Sequence, residues 1–216
     1  MPPIPRTTLV ALSGATLFFL ELHVGQALAP ALGGGALVWL STILLFQVIL
    51  LIGYTSAALL MPFGGQRRTT AVLLLAGATF GPMGFVHGIG LGTLLTALGL
   101  ATVLPLTLRG GTTEPEATRG RWIAASNAGA LVGLALYAAA EPWLGLSTGA
   151  TLLRLVSLAL GLLVLRIPGE DTPPVPYRPR VATAASAFVG VFWYMSHHAR
   201  LEATLPPSAQ LWAVTL

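Results

Sequence analysis

Ala36-Leu37-Val38-Trp39-Leu40-Ser41-Thr42-Ile43-Leu44-Leu45-Phe46-Gln47-Val48-Ile49-Leu50-Leu51-Ile52-Gly53 carries no charge. Its apolar residues do not alternate, as the quartet Ile43-Leu44-Leu45-Phe46 makes plain. A membrane-spanning strand needs alternation, apolar towards lipid and polar towards the lumen. A stretch apolar on every side is a helix, which satisfies its own backbone hydrogen bonds inside hydrocarbon. The full run, 36–61, exceeds the roughly 20 residues needed to cross a bilayer core of about 30 Å.

The same reading repeats along the chain. Further apolar runs lie at 8–27, 71–87, 91–108, 122–140, 147–165 and 181–197, and Leu162-Leu163-Val164-Leu165 is again apolar all round. The first run has spanning length and others follow it, so it reads as an uncleaved first helix and not as a signal peptide. The last run, Ala209 to Leu216, is too short to span, and the expectation is that the chain stops inside an eighth helix. The predicted fold is an all-α polytopic transmembrane bundle, with seven spans, the start of an eighth and the N-terminus inside. Residues 1–167 form a six-helix membrane unit, 168–180 a proline-rich cytoplasmic linker, and 181–216 the start of a second membrane unit.

Composition agrees. Of 216 residues, 55% are hydrophobic and 8% charged, against about 25% charged in soluble domains. Mean hydropathy is +0.81. These values exclude a disordered chain, a nucleic-acid-binding arm and an ordinary soluble enzyme. The net charge of +4 comes from 11 arginines with no lysine. They sit between apolar runs, where the partner for positive charge is an anionic membrane surface and not nucleic acid. The absence of cysteine excludes disulfides, thiol catalysis and Cys-ligated metals.

The arginines orient the chain. Arg6, Arg67, Arg68, Arg109, Arg119, Arg121, Arg166, Arg178 and Arg180 all fall on one side of the predicted spans. The opposite loops hold only Arg200. By the positive-inside rule the arginine side is cytoplasmic, which implies a multi-pass protein of the inner membrane. The loop 109–121 and the linker with Pro168, Pro173, Pro174, Pro176 and Pro179 read as irregular.

Polar residues within spans are costly and mark candidate sites. Glu21, Gln47, Asn127 and Arg154 form that set. At about 1.5 Å rise per residue, Glu21 lies about 22 Å beyond Arg6 and Arg154 about 18 Å from Arg166, so their depths match. Either the two form an ion pair or share a polar cavity, or each reaches the outer interface alone. His23, two residues on, lies near the opposite face from Glu21. His23, His87, His197 and His198 read as interfacial residues, and no metal or other cofactor is expected. Ala125, Gly129 and Gly133 form a small-residue stripe for close helix packing, with Asn127 hydrogen-bonding across it. Gly33-Gly34-Gly35 and Gly88-Ile89-Gly90-Leu91-Gly92 read as outer turns, and Gly81-Pro82 as a kink. No nucleophile elbow, zinc site or Walker loop is present, so no catalytic residue is assigned.

Two stretches together resemble a known family. One is Glu21-Leu22-His23-Val24-Gly25-Gln26-Ala27-Leu28-Ala29-Pro30-Ala31-Leu32-Gly33, followed by Val38-Trp39 and Gly53-Tyr54. The other is Ala125-Ser126-Asn127-Ala128-Gly129-Ala130-Leu131, followed by Leu136-Tyr137, Glu141-Pro142 and Leu144-Gly145-Leu146. They resemble the membrane domain of spermidine synthase-like fused proteins, in which a helical domain precedes a soluble aminopropyltransferase-type domain. Gln26 stands where that family usually has arginine, and Ala138 where it often has proline. The glycine-rich, acid-containing nucleoside site is absent from 1–216, so the resemblance implies a non-catalytic module. Such a module anchors or serves a soluble synthase-like domain or partner on the cytoplasmic side. The alternatives are a small-molecule transporter or receptor of polyamine type, or an accessory subunit of a larger membrane complex.

Overall fold

Proline marks the start of two helices. Pro5 and Pro115 have extended ψ, and each offers its carbonyl to the N–H groups three and four residues on (Thr8 and Leu9; Thr118 and Arg119). Proline fits there because the first turn has no use for its missing N–H. The computed structural model describes residues 5–33, 35–60, 66–80, 90–109 and 114–167. The chain divides after Pro176, and all described residues belong to the first unit.

Every regular element among them is helical: α1 (Arg6–Leu32), α2 (Ala36–Leu60), α3 (Gln66–Phe80), α4 (Leu91–Arg109), α5 (Glu116–Ala140) and α6 (Leu146–Leu165). Five of the six, all but α3, are long and apolar enough to cross a membrane. This is the architecture of a multi-pass membrane protein. As described, α3 has 15 residues, about 22 Å of rise, which is short of a bilayer core. The predicted third span to residue 87 is therefore seen only as far as Phe80. The linker 168–180, the runs at 181–197 and 209–216, Gly81-Pro82, His87, His197 and His198 lie outside the described residues.

Three boundaries differ from expectation. The first helix runs on through Pro30 to Leu32, where an outer loop was expected from residue 28. Pro30 sits in the last turn, where its missing N–H forfeits one ladder bond, and Gly33 ends the helix at φ +85°. The fifth helix starts at Glu116, so Arg119 and Arg121 project from a helix and not from a loop; Glu116 suits the positive end of its dipole. Gly92 belongs to α4 and not to a turn.

Helices α1 and α5 run parallel in close contact, α3 lies between α4 and α6, and α2 covers α4. The interior holds Val10, Leu17, Phe46, Leu74, Val103, Leu160 and Val164. The outside is as greasy as the inside: Leu131 is 69% exposed, Leu155 60% and Trp143 86%. In water such a surface would aggregate, whereas lipid is its natural solvent. Buried hydroxyls follow the same logic. Those of Ser13, Thr16, Thr42 and Thr107 each donate to a carbonyl three or four residues earlier, and Thr70 and Thr102 join α3 to α4 at 2.8 Å.

The helix ends sort by charge. Arg6 lies over the Trp122 ring at 5.8 Å, tying the start of α1 to the start of α5. An Arg67 guanidinium nitrogen donates to the Ile167 carbonyl, tying the start of α3 to the end of α6. With Arg68, Arg109, Arg119, Arg121 and Arg166 at the same ends of their helices, every described arginine except Arg154 gathers at one end of the bundle.

Candidate functional site

The seam between α1 and α5 is built from small residues. A Cβ added at Gly129 would strike the Ala11 carbonyl oxygen, and one at Gly133 the Ala15 carbonyl oxygen. Gly14 in turn lies against the Ser126 carbonyl. Backbone therefore meets backbone, the geometry that glycine permits in membrane helices. Ala125 is half-buried one turn before Gly129 on the same face. The register advances by fours: Ala11 with Gly129, Ala15 with Gly133, then Phe19 with Tyr137. The last pair meets edge to face, with ring centroids 5.1 Å apart at 78°.

Above that pair lies a polar relay. The Tyr137 hydroxyl donates to Gln26 Oε1 at 2.6 Å, and Gln26 Nε2 donates to Glu141 Oε1 at 3.0 Å. Glu141 caps the end of α5 one turn after Tyr137, so a single α1 side chain can engage both. These residues were visible in the sequence only as parts of the resembling motifs. The four-residue spacing of tyrosine and glutamate was the available signal, but nothing in it named Gln26 as the partner.

Among the described residues no hydrogen bond or ion pair joins any two of the four candidate intramembrane residues. Gln47 is exposed on α2. Asn127 is exposed and forms no cross-helix hydrogen bond among the described residues. It lines a groove of about 400 Å³ between α1, α2, α4 and α5, together with Ser13, Phe18, Tyr54 and Ser126. Glu21 lies one turn before Gly25, whose Cβ position is covered by the Trp39 ring of α2. Among the described residues Glu21 and Arg154 form no ion pair, and Glu21 is not among the residues that line the cavity beside Arg154. Equal depth along two helices does not by itself make neighbours of two side chains, because each must also face the other.

Arg154 instead shares a cavity with His23. Its volume is about 80 Å³, and Thr93, Thr96, Gly77 and Gly92 also line it. His23 packs on α6, where Gly149 leaves room for the imidazole. No group of histidines and carboxylates suited to a metal occurs among the described residues. The chain matches no family model, no curated protein and no solved structure.

Proposed function

We propose that this chain is a non-catalytic, multi-pass module of the inner membrane whose arginine-bearing end faces the cytoplasm. There it anchors or serves a soluble synthase-like domain or partner, the role implied by the resemblance to spermidine synthase-like fused proteins. The observation that carries the reading is the gathering of Arg6, Arg67, Arg68, Arg109, Arg119, Arg121 and Arg166 at one end of the helices. Cationic loops are retained on the cytoplasmic side, and they supply an electrostatic face for anionic headgroups or an acidic partner surface.

The lack of any hydrogen bond or ion pair among Glu21, Gln47, Asn127 and Arg154 in the described residues favours a scaffold over a polyamine transporter. A cation pathway needs convergent carboxylates, and Glu21 is the single carboxylate among these four. The test is site-specific photo-cross-linking from Arg119 and Arg121 in native membranes. Capture of an aminopropyltransferase-type soluble domain is the expected result. Cross-links to lipid alone at both positions would defeat the partner role.

A further inference from the structure

An arginine within a membrane bundle is costly and ordinarily has a partner. Arg154, near the middle of α6, has no hydrogen-bond or ion-pair partner among the described residues, and no carboxylate lines its cavity. The other polar side chains there are in the same condition. His23, Thr93 and Thr96 make no hydrogen bond among the described residues, although Thr96 is 5% exposed. Four side chains able to donate hydrogen bonds thus converge from α1, α4 and α6 on one space.

We propose that this cavity is an oxyanion site for a phosphate-type group. The guanidinium supplies a permanent charge and a planar fork of donors. The two threonine hydroxyls and the His23 ring N–H supply donors from other directions, which suits a tetrahedral anion. Gly92 and Thr93 lie in the first turn of the 19-residue α4, where unsatisfied N–H groups and the helix dipole favour negative charge. At about 80 Å³ the space holds a few waters or one small oxyanion, and not a large substrate. The glycines have a definite use here. A Cβ at Gly149 would lie 2.8 Å from His23 Cε1 and 2.9 Å from Nδ1, and one at Gly77 would strike Thr96 Oγ1. Glycine at both positions keeps these donors in place. The site lies towards the end of the bundle opposite the arginine cluster, and it stands whether or not a cytoplasmic partner is found.

The experiment uses the full chain in nanodiscs. One arm titrates inorganic phosphate into phosphatidylcholine discs by calorimetry. The other measures retention of phosphatidylglycerol by native mass spectrometry. Binding in the first arm identifies a free anion, and retention only in the second identifies a lipid headgroup; either supports the site provided that Arg154→Gln weakens it by at least about tenfold. Thr96→Val should weaken it severalfold, while Thr151→Val, which removes an exposed hydroxyl on α6 outside the cavity lining, should not. No binding in either arm, or equal binding by wild type and Arg154→Gln, overturns the proposal. If Arg154→Gln fails to fold, Thr96→Val decides, and wild-type affinity in that variant overturns it.

Discussion

Tyr137 of α5 is held twice by α1: its hydroxyl donates to Gln26 at 2.6 Å, and its ring meets the Phe19 edge at a centroid distance of 5.1 Å. The two contacts separate chemically. Tyr137→Phe removes the hydroxyl bond and keeps the ring, and should cost about 1 kcal/mol. Tyr137→Ala removes both and should cost about 3 kcal/mol or more. Reversible unfolding in mixed micelles measures both. Equal losses would mean that the ring contact contributes nothing.

The α1–α5 seam should tolerate no added carbon. Gly129→Ala and Gly133→Ala each place a methyl group on an α1 carbonyl, so both should destabilise by about 1–3 kcal/mol. Ala128→Leu, on the exposed side of α5, should change stability by less than about 0.5 kcal/mol. A neutral Gly129→Ala would show that the helices do not meet as described.

Ser157 is fully buried in α6, and its hydroxyl has no partner. A buried hydroxyl without a hydrogen bond costs free energy that a methyl group does not. Ser157→Ala should therefore raise stability, by about 1 kcal/mol, in the same unfolding assay. Loss of stability would reveal a hydrogen bond formed by that hydroxyl.

Glu21 and Arg154 should behave as strangers. In a double-mutant cycle of Glu21→Gln and Arg154→Gln, the coupling should stay within about 0.5 kcal/mol. A coupling above about 1 kcal/mol would restore the ion pair that their equal depth left open.

Orientation can be read chemically because the chain has no native cysteine. Thr118→Cys, near the arginines, should resist an impermeant maleimide in intact cells and react in inverted vesicles. Ser147→Cys, at the opposite end of the bundle, should show the reverse pattern. The exchanged result would invert the proposed topology.

Much of the fold was legible because lipid imposes simple rules. Uninterrupted apolar runs such as 36–61 can only be helices, and arginines mark one end of each. The small-residue stripe at Gly129 and Gly133 was legible because only close backbone approach calls for such residues. What was not legible is azimuth. Rise per residue placed Glu21 and Arg154 at one depth, but which neighbour each helix face meets depends on packing that no local pattern encodes. The same gap hid Gln26 as the partner of Tyr137 and His23 as the neighbour of Arg154. Two helix ends were misjudged: α1 was expected to end at residue 27 but runs through Pro30 to Leu32, and Pro115 opens a helix in what read as a loop.

Partners on the first and fifth helices lie far apart in the chain, with Gln26 and Tyr137 separated by 111 residues. At about 5–20 residues per second of synthesis, that gap amounts to roughly 5–20 s. Throughout this interval the newborn leading segment must wait in the bilayer with its glycine-and-alanine seam uncovered. Biogenesis of this protein thus contains an obligatory delay, during which a chaperone or a passing foreign helix can occupy the place reserved for a later arrival.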